Sequence, residues 1–254
     1  MTRRFAALLD GPPDSLPVDE VLLLVAAHDH PVDVALQRAR LDDLAARCTP
    51  GSLESVLDVV FAQEGFQGDR DDYHHPDNSF LDRVLDRHRG LPILLSVLTA
   101  EVAARNEVCL APVGMPGHFL LRVCDDEDTF VDPFDRGRLL DPAGCRAIFA
   151  SLHPDRPFDP AFLDPIDSRA VVVRVVTNLL NTFLQRGPVA SLAWAAQLRA
   201  IVLGGEAWRL AARLRERTGD WDLAAQAWDA LGEGAGADQR EAAARAGAAR
   251  ARTN

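Results

Sequence analysis

The sequence predicts an α+β chain: a helical domain closed by a small antiparallel sheet, followed by an all-helical region. Three observations predict it. Strand-type patterning is confined to residues 110–140. Apolar residues recur at helical spacing on both sides of that window. The stretch from His153 to Asp167 carries four prolines and separates the two helical parts. The expected organisation is a first domain over residues 1–155, a Pro-rich linker over 156–167 and a helical domain over 168–254.

Taken in order, Val18 to Ala27 carries an apolar stripe, Pro31 breaks it, and Val32 to Cys48 resumes with Val34, Leu41 and Leu44. Thr49-Pro50-Gly51 is a turn, with Ser52 as N-cap for a helix to Phe66. Gln67 to Asp77 is polar and reads as a surface loop. Ser79 and Asp82 resemble a capping box opening a helix that buries Phe80, Leu81, Val84 and Leu85 and ends at Gly90. Pro92 starts the next helix, where its missing N–H costs nothing. Ile93 to Arg105 is apolar almost all round, which marks the central helix.

Strands follow. His118 to Val123 and Thr129 to Asp132 flank the acidic turn Asp125-Asp126-Glu127-Asp128. A hairpin centred at residue 125 sets His118 opposite Asp132 on one face, with Cβ atoms about 5 Å apart. That spacing suits a His–carboxylate hydrogen bond, the orienting half of a catalytic triad. Arg138 to Leu140 adds an edge strand, and Asp141-Pro142 opens a helix to Leu152. After residue 167 the helices run 169–186, 189–203, 206–218 and 221–231, with a weak or frayed tail from Gly232. Trp208, Gly219-Asp220, Ala224 and Trp228 fall near the offsets of a tetratricopeptide repeat.

Composition excludes several function classes. A net charge of −11 argues against binding a phosphate backbone. No apolar run approaches the ~18 residues of a membrane span, and the apolar stretch after Arg3-Arg4 is too short for a signal peptide. The cytoplasm is therefore the expected compartment. All 27 basic residues are arginines, which reads as coding bias rather than function. Cys48, Cys109, Cys124 and Cys145 lack finger spacing and are expected as reduced thiols. His74-His75 makes no metal site, because adjacent residues rarely face one ion. No metal or cofactor is expected.

Four stretches, Asn78-Ser79-Phe80-Leu81, Arg89-Gly90-Leu91-Pro92, Met115-Pro116-Gly117-His118-Phe119 and Asp132-Pro133-Phe134, resemble the bacterial SirB family. The resemblance implies a transglutaminase-like, papain-related domain with a tetratricopeptide-like helical region behind it. Active transglutaminase-like enzymes place a Cys at a helix N-terminus, a His on the next strand and an Asp on the one after. Here these positions fall on Pro92, His118 and Asp132, so the nucleophile is missing and the pair is vestigial. This chain also departs from relatives at Leu94, often a Ser there, and at Asn106-Glu107. The cleft implied by the motifs places Asn78, Gly117 and His118 against a ligand.

Three readings follow. The first is a pseudoenzyme that binds a protein or peptide partner, since helical repeats make concave binding surfaces. The second is a hydrolase or acyl-transferase using His118 and Asp132 with Ser96, one helical turn beyond Pro92, as substitute nucleophile. Ser96 would alternatively bond back to the Pro92 carbonyl. Cys109, Cys124 and Cys145 rank below it. The third is structural, with His118 and Asp132 a buried pair that braces the hairpin.

Overall fold

The structure is a computed structural model that describes residues 1–12, 16–233 and 239–253. By internal contact the chain divides into a unit of residues Gly11–Val171 and a second unit of Met1–Asp10 with Val172–Asn254. The first helix, α1 (Thr2–Leu9), belongs to the second unit.

The larger unit begins with α2 (Val18–Ala26), buried on nearly every side from Val21 to Ala26. In α3 (Val34–Ala46) the N-cap is Asp33, whose carboxylate accepts the Leu36 N–H at 3.0 Å. Ser52 caps α4 (Leu53–Leu57) by accepting the Ser55 N–H at 3.1 Å. That helix then widens into a π-helical turn over Asp58–Gln63. One ion-pair hub ties these helices together. Asp19 of α2 accepts from Arg105 at 2.6 Å and from Arg38 of α3 at 3.1 Å.

The expected capping box does not form. Ser79 lies in a 3-10 turn, Pro76–Ser79, and its hydroxyl is buried without a partner. The residue before α5 (Leu81–Arg87) is Phe80, which has no side-chain cap to offer. Asp82 instead takes a hydrogen bond from His30 Nε2 at 2.6 Å, a tertiary contact that outbids the local one. The helix also stops earlier than Gly90. His88 takes the left-handed conformation, φ 54°, and ends it. Gly90 lies in a two-residue strand, β2 (Arg89–Gly90), parallel to β1 (Gln67–Gly68). Its lack of a Cβ is needed there, since one would sit 2.6 Å from Val84 Cγ2.

As expected, Pro92 occupies the first turn of α6 (Pro92–Ala104), which buries ten residues, including Ile93, Leu94, Leu95 and Leu98, and forms the centre of the unit. Four antiparallel strands pack beside it in chain order: β3 (Leu110–Val113), β4 (Leu120–Val123), β5 (Asp126–Asp132) and the edge strand β6 (Arg138–Leu140). Asp141 then caps α7 (Pro142–Leu152), accepting the Gly144 N–H at 2.7 Å with Pro142 in the first turn.

Two expectations need correcting in this region. Cys109 and Cys124 are not free thiols; they form a disulfide. The reason is topological, because Leu110 pairs with Val123 and so their neighbours lie side by side, Cα atoms 5.5 Å apart. Cys48 and Cys145 are free and buried. The stretch 156–167, read as a linker, is packed onto the sheet. Phe158 and Phe162 cover the core formed by Val113, Phe130, Cys145 and Phe149. The Ile166 N–H donates to Pro112 O at 2.8 Å, and Val113 bridges to Pro165.

In the second unit α1 packs on α9 (Val189–Leu203) and buries Phe5 and Leu9. The helix between the units' sequences is α8 (Ser168–Arg186). The others, α10 (Ala207–Thr218), α11 (Trp221–Gly232) and α12 (Gln239–Arg250), pack each on the one before it. Gly219, at φ 77°, closes α10, and the buried Trp228 donates its indole N–H to Glu216 at 2.9 Å. The tail after Gly232 thus contains a formed helix; residues 234–238 lie outside the described residues. Among the described residues no helix is long and apolar enough to cross a membrane.

Candidate functional site: a buried His–Asp pair beside a proline-headed helix

His118 reaches the sheet through a tight turn. Its N–H donates to Met115 O at 3.1 Å, and Gly117 within the turn has φ +78°, a conformation that favours glycine. A Cβ on Gly117 would also sit 2.7 Å from His153 Nε2, the atom that lies 3.1 Å from Pro116 O. The turn delivers His118 just before β4, and Asp132 ends β5. Their side chains meet, His118 Nε2 to Asp132 Oδ2 at 3.0 Å.

The register is not the one the acidic turn suggested. Leu121 pairs with Val131, so Asp132 stands across from Leu120 and His118 lies two residues beyond it. A bulge between Arg122 and Val123 displaces the hairpin's centre. The contact survives because a long ring spans the diagonal between strands.

Asp132 does two jobs. Its second carboxylate oxygen accepts the Phe134 and Asp135 N–H groups at 3.0 and 3.3 Å, capping the 3-10 turn Pro133–Asp135. His118 is only 9% exposed, so whatever approaches it must first displace protein atoms. Phe134 packs edge-on to His118 at 5.9 Å and to Tyr73 at 6.0 Å. The Arg70 guanidinium lies 4.9 Å over the same ring. Sequence reasoning quoted Phe134 as a motif residue without assigning it these contacts.

The start of α6 is brought alongside by β1 and β2. Gly68 pairs with Gly90, two residues before Pro92, and a Cβ on Gly68 would fall 2.3 Å from the Phe134 ring. At the position where a thiol would be needed stands Pro92, fully inside the fold. A polar groove of about 170 Å³ lies on the far side of Phe134, walled by Gln67, Gly68, Arg70, Asp71, Arg89, Phe134, Asp135 and Arg136 and not reaching Pro92, His118 or Asp132.

Asn78 is committed to the protein itself. Its Nδ2 donates to Asp72 O at 2.8 Å and Tyr73 O at 3.3 Å, while Oδ1 accepts from Arg87 at 2.8 Å. Arg87 in turn pairs with Asp69 at 3.0 Å. Burial would raise the Asp69 carboxyl, but hydrogen bonds from the Asp72 N–H, Asn78 and Arg87 outweigh it and hold the group below the usual range. The Leu91 N–H donates to Asn78 O at 3.0 Å, so Asn78 is a strut that fixes the start of α6.

The substitute nucleophiles fare as follows. Ser96 is wholly buried, and its hydroxyl has no partner; the expected bond back to Pro92 is absent. It lines a cavity whose walls include Phe119 and Leu121 but neither His118 nor Asp132. Burial, with the Asp132 and Asp141 carboxylates adding to it, pushes the Cys145 thiol up to about 12, which makes it inert. Cys109 and Cys124 are spent in their disulfide. Among the described residues no three His, Cys, Asp or Glu side chains converge as a metal site.

Comparison with known proteins bears on the same stretch of chain. The family described as "Transglutaminase-like superfamily" matches residues 28–177. A UPF0162 protein of Xylella fastidiosa (strain 9a5c) is 32% identical over 187 residues, 67% of this chain and 66% of its own length. A UPF0162 protein of Pseudomonas aeruginosa is 33% identical over 168 residues, covering 65% of this chain and 60% of its own. F-box only protein 21 of Mus musculus is 30% identical over 144 residues, 53% of this chain and 22% of that one. The chain thus spans just under two thirds of the Xylella relative. No solved structure matches it significantly.

Proposed function

Because the chain belongs to the transglutaminase-like superfamily, we propose that it is a SirB-type member without the thiol chemistry of its active relatives, a module that binds a protein or peptide. The observation that carries this reading is Pro92 at the head of α6, a helix that packs against β4 and the turn after Asp132, while His118 and Asp132 are hydrogen-bonded to each other. A proline offers neither a nucleophile nor a backbone N–H to stabilise an oxyanion. The groove between Arg89 and Phe134 gives a polar peptide segment somewhere to lie, where its carboxylates or carbonyls would exchange with Asp135 on Arg70, Asp71 on Arg89 and Gln67 on Arg136. The helices from α9 to α12, each packed on the last, are the tetratricopeptide-like part of the reading and supply a second surface for the partner.

Two measurements test it. Wild-type protein offered glutamine peptides with a primary amine, and peptide amides alone, should release no ammonia above background. Turnover that Ser96→Ala abolishes would establish the serine-enzyme reading in its place. Peptides selected on the wild type from a displayed library should lose binding to Arg136→Glu. Peptides indifferent to that change would remove the groove from the account.

A further inference from the structure

Three arginines, Arg70, Arg89 and Arg136, line the groove on the far side of Phe134. Its walls hold these three guanidiniums against two carboxylates, Asp71 and Asp135, a local excess of positive charge in a chain whose net charge is −11. Their partners set them apart from the arginines that hold the fold together. Arg87 and Arg105 reach the buried Asp69 and Asp19 at 3.0 and 2.6 Å, and opening either pair would strand a charge inside the protein. Arg89 pairs at 2.8 Å with Asp71, which is 84% exposed and would be solvated on release. Its other carboxylate neighbour, Asp69 at 4.0 Å, keeps Arg87 in any case. Arg70 pairs at 3.2 Å with Asp135, which retains Arg138 at 3.6 Å if Arg70 turns away. Arg136 has no carboxylate partner among the described residues; two of its nitrogens donate to the neutral amide oxygen of Gln67, at 3.1 and 2.6 Å. Exposed contacts of this kind add little to stability, so all three guanidiniums can change partner at low cost.

Position brings the three together. Gln67, which holds Arg136, is the partner of Arg89 in the β1–β2 ladder, so two of the cations flank one residue. Arg70 lies 4.9 Å over the Phe134 ring, a contact that leaves the N–H groups at the edge of its plane free to donate. Each guanidinium offers its donors as a planar fork. A carboxylate has two oxygens to meet such forks, whereas a phosphoryl group on a side chain has three and carries close to two negative charges at pH 7. Three forks in one groove of about 170 Å³ match the phosphoryl group. A nucleic-acid backbone would have to run on from these three arginines over a chain of net charge −11, so the match is to a single such group. Resting on the reading of this groove as a peptide site, we infer that it recognises a phosphorylated side chain of the partner peptide, bound by Arg70, Arg89 and Arg136.

The test measures binding of the full chain to three degenerate peptide pools by fluorescence anisotropy, the pools alike except for a central phosphoserine, serine or glutamate. The phosphoserine pool should bind at least about tenfold more tightly than either of the others, the worth of a charge-assisted hydrogen bond. Inorganic phosphate should compete with it. Arg70→Gln and Arg136→Gln should each weaken that pool by about tenfold or more. Gln67→Glu keeps every arginine but sets a carboxylate against Arg136, and it should weaken the same pool. Equal binding of the phosphoserine and serine pools, both lost in Arg136→Glu, would overturn this inference and leave the peptide reading standing. A phosphoserine preference unchanged in all three variants, or glutamate binding as well as phosphoserine, would overturn it too. So would capture of phosphatidate vesicles with no preference among the pools, which would give the arginines to a lipid headgroup. Binding of no pool at all would sink the peptide reading with it.

Discussion

At the scale of single residues the chemistry turns on position 92. A helix N-terminus and a neighbouring imidazole together lower a thiol's pKa; Pro92 stands at the helix N-terminus, and in the proposed reading His118, held by Asp132, is the imidazole. The substitution Pro92→Cys should therefore give a thiol that reacts with iodoacetamide near pH 7 about tenfold or more faster than an ordinary cysteine. Adding His118→Ala should remove the enhancement. An unreactive thiol in a folded variant would make the His118–Asp132 pair a brace and no more. That pair was legible in the sequence because two strand-forming stretches flank one acidic turn. Its register was not, because a bulge at Arg122 and Val123 leaves no mark in the residue pattern. The structural role of Asn78 is hidden in the sequence for a similar reason. The residues that claim its side chain, Asp72, Tyr73 and Arg87, converge on it only in three dimensions.

At the scale of elements, local signals were trustworthy where they acted alone. Asp141-Pro142 starts α7 as written, and Pro92 starts α6. They failed where a tertiary partner competed. Asp82 left its helix start for His30, and the parallel pair β1 and β2 is too short to carry any periodicity. The disulfide between the flanks of β3 and β4 was equally hidden, since no spacing rule covers two cysteines made neighbours by a hairpin. It closes a loop of 15 residues, for which chain entropy gives a stabilisation of up to about 3 kcal/mol. Thiol titration of the unfolded protein should thus find two free thiols before reduction and four after it. Denaturation in reductant should show a loss approaching that magnitude. Four thiols without reductant would mean the hairpin stands unaided.

At the scale of the whole molecule, acid stability is set by carboxylates held inside. Burial would raise Asp19, but Arg105, the Glu20 N–H and Arg38 outweigh it and keep its carboxyl below the ordinary value. Asp69 is lowered in the same way. For a lowered folded pKa the unfolded chain holds more protons, so the stabilisation is complete above the unfolded value of about 3.9 and is lost as pH falls through the folded one. Glu101 runs the other way. Burial and the Asp19 charge raise it, so its contribution is present at low pH and fades as pH climbs through the raised value. Asp19→Asn should cost about 3 kcal/mol at neutral pH, because it leaves Arg105 short of a buried partner. It should also flatten the loss of stability below pH 4 in urea titrations. An acid limb as steep as the wild type's would assign that limb to other groups.

The membership of α1 in the second unit has a consequence for synthesis. The segment carrying Phe5 and Leu9 is made before residues 11–171, yet α9, the helix it packs on, is made only after them. At elongation rates of about 5–20 residues per second that gap lasts roughly ten to thirty seconds. Throughout it the larger unit can collapse by itself while an amphipathic N-terminal helix waits, apolar face uncovered, for helices still inside the ribosome. Nascent chains stalled near residue 171 should accordingly engage holding chaperones through their first ten residues, and release them once the chain extends past Leu203.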